Sequence, residues 1–221
     1  MDFLRSVLDA AIDSVFPPRD HECAVRMLDE SAVLAHLDPV VVERTAPAAI
    51  ALMRFRTPAV RAVIHEAKYR ANPKAQNVLA AALAQHLADW RAEDGALYDA
   101  GAQLVLVPVP ISRERRAERG YNQCEEIARR ALARTDMKDA GFKLDTSLLT
   151  RPKDTERQTR LGRLLRRRNM AEAFAASRPA DPGALYIVVD DVVTTGATLQ
   201  AAAHALLKAG AGTVIPLALS R

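Results

Sequence analysis

Cysteine is scarce. The 221 residues hold two, Cys23 and Cys124, which form no Cys-x-x-Cys pair and cannot make a disulfide framework. Cys23 with nearby His21 falls short of the four ligands of a structural zinc site, so no such site is expected. Aromatic residues make up 5% of the chain, leaving few platforms on which nucleobases could stack. No apolar run approaches the roughly 20 residues needed to span a bilayer, so no membrane partner is expected. The opening Met1-Asp2-Phe3-Leu4-Arg5 lacks the basic segment and cleavage site of a secretory leader, and a cytoplasmic location is the expectation. The Gly-Lys-Ser/Thr of a nucleotide P-loop is missing, as is the Gly-x-Gly-x-x-Gly of a dinucleotide fold.

What is present is ordinary globular material. Hydrophobic residues are 49% and charged residues 26%, in a chain long enough for one α/β domain with a small appendage. The net charge of +4 is uneven. Arg151 to Arg168 contains eight basic and two acidic residues, a net +6, so the rest of the chain is net negative. Such local charge suggests a polyanion nearby. A charged surface helix is the plainer alternative, since Leu161, Leu164 and Leu165 give a short helical face there.

Taken in order, residues 2–16 place Phe3, Leu4, Val7, Leu8, Ala11, Ile12, Val15 and Phe16 on one helical face, stopped by Pro17-Pro18. From Arg19 to about Pro47 no period stands out. Thr57-Pro58 predicts a helix start with threonine as cap, and Asn72-Pro73 repeats the device for a helix over about 73–92. His65 and His86 fall on these helices with no carboxylate or cysteine partner expected. Leu104-Val105-Leu106-Val107 predicts a buried strand ended by Pro108-Val109-Pro110. A basic loop from Ile111 to Gln123 follows, then a helix carrying Ile127, Ala128, Ala131 and Leu132. That loop is either a solvated charged segment or a second phosphate-facing one. Ser147-Leu148-Leu149 suggests a short strand. Thr213 to Leu219 is a last strand, in which Pro216 argues for an edge position or a bulge.

The most informative stretch runs from Leu185 to Lys208. Leu185-Tyr186-Ile187-Val188-Val189 reads as a strand buried on both faces, and Asp190-Asp191 follow at its carboxyl end. Thr194, Thr195, Gly196, Ala197 and Thr198 then lead into an alanine-rich helix that stops at Gly210. Free N–H groups and the positive dipole end at a helix start suit a phosphate, and Gly196 lets the backbone come close. The two carboxylates repel phosphate but suit sugar hydroxyls, or a divalent cation bridging to a polyphosphate. Phosphoribosyl pyrophosphate carries all three features.

Val188-Val189-Asp190-Asp191-Val192-Val193-Thr194-Thr195-Gly196-Ala197-Thr198 resembles the signature of type I phosphoribosyltransferases. Further segments occur in the order seen in the ComF family, the phosphoribosyltransferase-like proteins linked to bacterial competence for DNA uptake. They are Val107-Pro108-Val109-Pro110, Arg119-Gly120-Tyr121-Asn122-Gln123, Thr155-Glu156-Arg157-Gln158-Thr159-Arg160-Leu161 and Arg167-Arg168-Asn169-Met170-Ala171-Glu172-Ala173-Phe174. Lys68-Tyr69-Arg70 is similar to another family segment, and the resemblance covers about residues 50–221. It implies an α/β type I phosphoribosyltransferase fold: a mainly parallel sheet flanked by helices, with a helical N-terminal appendage. The division expected is 1–56 for a helical hood region and 57–221 for the main domain.

The resemblance also implies roles. Asp190 and Asp191 would contact the ribose hydroxyls and Mg²⁺-linked oxygens, and Thr194, Thr195, Gly196, Ala197 and Thr198 would cradle the 5′-phosphate. Pro110 with Ile111, Ser112 and Arg113 would form the pyrophosphate loop. Arg157, Gln158 and Thr159 would belong to a mobile loop closing over the reaction centre. Relatives usually begin with a cysteine-rich zinc ribbon. Phe16-Pro17-Pro18-Arg19 resembles its start, but only Cys23 follows. Two functions of different class stay open. One is a Mg²⁺-dependent phosphoribosyltransferase with an unidentified acceptor. The other is a binding or sensor protein of DNA uptake, with single-stranded DNA or uptake proteins as partners.

Overall fold

Six strands form the central sheet in the order β1-β2-β8-β7-β3-β4, in a computed structural model that describes residues 20–93, 102–134, 137, 140–152 and 173–221. They are β1 (Val40–Val42), β2 (Ala49–Met53), β3 (Leu104–Pro108), β4 (Phe142–Leu144), β7 (Leu185–Val192) and β8 (Thr213–Ser220). Each of the pairs β2–β8, β8–β7, β7–β3 and β3–β4 is parallel, and only β1 runs against its neighbour. The carboxyl ends of five strands therefore share one edge. A separate two-stranded sheet joins β5 (Leu149–Thr150) to β6 (Ala175–Ala176).

The central strands read as continuous apolar runs because both their faces are covered. Alternation along β7 sends Leu185, Ile187 and Val189 to one core and Tyr186 and Val188 to the other. The first core is closed by α1 (Asp20–Met27), α2 (Glu30–Leu34), α3 (Pro58–Tyr69), α4 (Pro73–Glu93) and α6 (Gln123–Leu132). In the second core α7 (Ala197–Lys208) packs with the small sheet. The α/β class with a mostly parallel sheet flanked by helices thus matches the expectation.

Several local expectations need correction. The segment 113–119, expected as a basic loop, is the helix α5 (Arg113–Arg119). Ser112 caps it by accepting from the Arg115 N–H at 3.3 Å, and Gly120 ends it at φ 78°. None of its residues is buried, so no apolar stripe announced it. The stretch 19–47 contains α1, α2 and β1, each too short to show a period. Val40–Val42 and Ala49–Met53, inside the expected helical N-terminal region, are strands of the main sheet. Thr57 stands at the start of α3 but makes no side-chain cap bond, whereas Asn72 Oδ1 accepts from the N–H groups of Lys74 and Ala75. His65 does have an acidic neighbour, with Nδ1 3.7 Å from Glu66 Oε1. The helix expected over 2–16 and the basic stretch from 153 to 168 lie outside the described residues.

Pro216 does not place its strand at the edge, because β8 runs between β2 and β7. The reason is visible in the registers. β7 pairs along β8 from Thr213 to Ser220, while β2 joins only from Leu217 onward. Pro216 lies just before β2 joins, where its missing N–H interrupts no recorded ladder pair with that strand.

Candidate functional site

The direction of the connections changes between β3 and β7. β3 leads through α5 and α6 to β4 on one side, and β7 leads through α7 to β8 on the other. Ligands of open α/β sheets bind outside the carboxyl ends of strands at such a switch point. The turns leaving these two strands are the two singled out in the sequence, Pro110 to Arg113 and Asp190 to Thr198. The Val109 N–H donates to the Val189 carbonyl at 2.9 Å, holding the two strand ends side by side.

The two aspartates differ in kind. Asp191 continues the alternation Leu185-Ile187-Val189, so its carboxylate meets α3 and α6 and is buried at 5% exposure. Oδ1 accepts from the Val192 N–H at 2.8 Å, and Oδ2 accepts from Gln123 Nε2 at 2.9 Å and from Lys68 Nζ at 2.6 Å. Burial alone would lower the pKa of Lys68, but the Asp191 carboxylate outweighs it and the net shift is upward. Asp190 is half-buried, and its Oδ1 accepts from the Asp191 N–H at 2.9 Å. Burial, and then the adjacent Asp191 charge, push its pKa up to about 7. The Cys124 thiol lies 3.7 Å from Asp190 Oδ1. Burial and both carboxylates raise its pKa far up, so it stays a protonated and unreactive donor.

The Arg119–Gln123 segment resolves into a bridge between the two turns. Gly120 makes the left-handed stop of α5. Tyr121 Oη donates to the Ala67 carbonyl at 2.6 Å and accepts from the Ala71 N–H at 2.9 Å, tying the end of α3 where Ala71 takes φ 51°. Asn122 caps α6 by accepting from the Cys124 N–H at 3.1 Å, and its Nδ2 donates to the Val109 carbonyl at 3.0 Å. Gln123 takes a hydrogen bond from Arg119 Nη1 on its amide oxygen at 3.3 Å and gives one to Asp191. Lys68, Tyr121, Asn122 and Gln123 are therefore site-building residues that the sequence reading gave no role. Their signal was that Lys68-Tyr69-Arg70 and Arg119–Gln123 are polar segments beside apolar helices.

Gly196 opens α7 at φ 80°, and a Cβ there would come within 2.0 Å of Thr45 Cγ2. Thr45 is buried in the β1–β2 connection, where its hydroxyl donates to the Val42 carbonyl at 3.1 Å. The turn is thus shaped by a contact that excludes any side chain. Thr194 and Thr195 are exposed, Ala197 and Thr198 half-buried, and Thr195 Oγ1 lies 3.4 Å from the Ala197 N–H. On the β3 side Ile111 is half-buried, Ser112 is spent on its cap, and Arg113 is exposed. Arg157, Gln158 and Thr159 lie outside the described residues.

No protein-family model matches the chain. It is 33% identical over 160 residues to the DNA utilization protein YhgH of Salmonella typhimurium, a match covering 72% of this chain and 65% of that protein. It is 36% identical over 107 residues to competence protein ComFC of Bacillus subtilis, covering 48% of this chain and 39% of the relative. Competence protein F of Haemophilus influenzae is 33% identical over 107 residues, covering 48% and 44%. The chain thus spans less than two thirds of the length of these relatives.

Proposed function

The chain belongs to the ComF family of competence proteins, and from that premise we propose that it binds phosphoribosyl pyrophosphate with Mg²⁺ and transfers the phosphoribosyl group to an acceptor. The observation that carries this reading is the meeting of two turns at the switch point between β3 and β7. Thr194 to Thr198 receive the 5′-phosphate at the start of α7, where backbone N–H groups and the helix dipole favour an anion. Asp190 faces the ribose hydroxyls, and Asp191, engaged by Lys68 and Gln123, fixes the geometry from below. The Ile111–Arg113 turn receives the pyrophosphate, with the basic segment carrying Arg157, Gln158 and Thr159 as the closing cover.

Among the described residues no group of three or more histidine, cysteine or acidic side chains could hold a metal. Among the described residues of the two turns, the carboxylates are Asp190 and the engaged Asp191. That set fits a cation brought in by the polyphosphate and touched by Asp190, the usual mode for Mg²⁺. Bound there, Mg²⁺ would neutralise charge on the leaving group. The C1–O bond to pyrophosphate breaks with its electron pair leaving on oxygen. A lone pair of the acceptor forms the new bond to C1, and any proton the acceptor sheds passes to solvent. The chain contributes positioning and cationic stabilisation of the leaving group.

Calorimetry with phosphoribosyl pyrophosphate and Mg²⁺ tests the reading: Asp190→Ala is expected to weaken binding at least tenfold. Equal affinity in parent and variant would remove Asp190 from the site, and turnover against a panel of bases and amines decides catalysis.

One observation favours the second reading, single-stranded DNA as a partner. The rings of His21, His65 and Tyr69 contact one another in series, tilted by 42° and 49° with centroids 4.7 and 5.0 Å apart, and the Arg119 guanidinium sits 4.8 Å over the Tyr69 ring. Tyr69 is 52% exposed, so this is an outward aromatic and cationic platform of the kind that stacks bases. Loss of oligothymidylate binding in Tyr69→Ala would support it, and unchanged binding would discard it.

A further inference from the structure

Beside the phosphate turn lies an open cleft of about 410 Å³ lined by Arg44, Arg54, Arg56, Arg221, Val42, Val193 and Thr194. Four arginines from three parts of the chain line it. Arg44 belongs to the β1–β2 connection, Arg54 and Arg56 follow the end of β2, and Arg221 follows the end of β8. The backbone fixes their placement, since Arg221 N–H donates to the Met53 carbonyl at 3.0 Å and Phe55 N–H donates to the Arg221 carbonyl at 2.8 Å. Arg54 has an acidic partner, Asp38, at 3.1 Å. Among the described residues no acidic side chain pairs with Arg44, Arg56 or Arg221.

Three like charges without a described acidic side-chain partner repel one another, and a bound anion removes that repulsion. Guanidinium groups match carboxylate and phosphate oxygens in bidentate fashion. Val42 and Val193 add an apolar wall, and the volume suits a molecule of nucleobase size. Thr194 lines this cleft and also belongs to the turn proposed for the 5′-phosphate.

We propose that the Arg44–Arg54–Arg56–Arg221 cleft is the acceptor site and that the acceptor is a small anion, a ring-sized molecule bearing a carboxylate or phosphate. As an acceptor assignment this rests on the transferase reading; as an anion site it stands on the cleft itself.

The test compares the parent chain with Arg56→Gln/Arg221→Gln, checked by circular dichroism and melting, and with Arg44→Lys as a charge-retaining variant. Calorimetric probes are pyridine-2-carboxylate, neutral pyridine, inorganic phosphate and a ten-residue oligothymidylate, each with and without phosphoribosyl pyrophosphate and Mg²⁺. Pyridine-2-carboxylate or phosphate is expected to bind the parent and pyridine not. The double variant should lose at least tenfold for the anion while its affinity for phosphoribosyl pyrophosphate changes less than twofold. Arg44→Lys should lose severalfold. Which of the two anions is preferred distinguishes a carboxylate from a phosphate acceptor. Binding of pyridine equal to that of pyridine-2-carboxylate overturns the proposal. So does absence of binding by both anions, and so does binding by the oligonucleotide alone, which would make the cleft a polynucleotide track. If phosphoribosyl pyrophosphate itself fails to bind the parent, the transferase reading falls, and the anion data still decide the cleft.

Discussion

Two regions on the same sheet edge treat charge in opposite ways. Around Asp190 and Asp191 the fold supplies donors from three elements, and one buried carboxylate takes hydrogen bonds from Val192, Gln123 and Lys68. A few residues on, in the cleft lined by Val193 and Thr194, four arginines meet and only Arg54 has a described acidic partner. The acid end is complete in itself, and its rearrangement costs stability. The arginine end presents Arg44, Arg56 and Arg221 with no described acidic side-chain partner. A protein that neutralises its own acids but leaves its cations open is arranged to be completed from outside on that side.

The largest expected effect sits between the two regions. Gly196→Ala combines a left-handed backbone, φ 80°, with a Cβ placed 2.0 Å from Thr45 Cγ2. Strain and overpacking together should destabilise by about 3–5 kcal/mol in urea unfolding. Thr45→Ser, which deletes that methyl, should recover part of it in a double-mutant cycle. Full additivity would show that the contact does not shape the turn.

Next comes the acid end. Lys68→Met leaves Asp191 buried without its cation and is expected to cost about 3 kcal/mol, with much of the loss restored by adding Asp191→Asn. A cost below about 1 kcal/mol would place the pair with ordinary surface bridges and erase the contrast between the regions.

The pH dependence sharpens the comparison. The folded protein holds the Asp190 proton up to about pH 7, whereas an ordinary aspartate loses it near 3.8. Stability should therefore fall as pH rises from about 4 to about 7 through this group and level off above. Asp190→Asn should flatten that limb. Binding of phosphoribosyl pyrophosphate with Mg²⁺ wants the ionised form, so affinity should rise from pH 6 to 8 with proton release. Calorimetry in buffers of different ionisation enthalpy reads the proton, and its absence would separate Asp190 from the ligand.

Smaller effects follow. Tyr121→Phe leaves the Ala67 carbonyl and Ala71 N–H to solvent at the end of α3, for about 1–2 kcal/mol. Arg56→Gln/Arg221→Gln should change stability by less than about 0.5 kcal/mol at moderate salt. A marked loss would mean that the arginines already have partners.

The strand Leu185–Val189, the turn through Thr198 and the helix after it were legible because hydrophobicity, acidic pair and turn chemistry agree within one short window. The long helices after Pro58 and Pro73 were legible for the same local reasons. The arginine cleft was not, since Arg44, Arg54, Arg56 and Arg221 become neighbours only when β2 pairs with β8. Nor was the different status of the two aspartates, which depends on Lys68 and Gln123 arriving from other helices. The helix Arg113–Arg119 was missed because a helix that buries none of its residues has no apolar period to read. Pro216 argued correctly about its own missing N–H, but one residue cannot report where a neighbouring strand begins.

The position of β8 has a consequence for how the chain is made. It is the last described strand in the sequence, yet it lies inside the sheet, paired to β7 on one side and β2 on the other. While the chain is being synthesised, β2 has no parallel partner until β8 has emerged. Its apolar edge, Ala49 to Met53, must wait, and pairing of Ile50 with Leu217 closes a loop that contains most of the sequence. Such long-range pairing is slow and leaves strand edges open to wrong partners. The arginine cleft is assembled by that same late event, so a nascent or truncated chain has no route to bind an anion there before its central strand is in place.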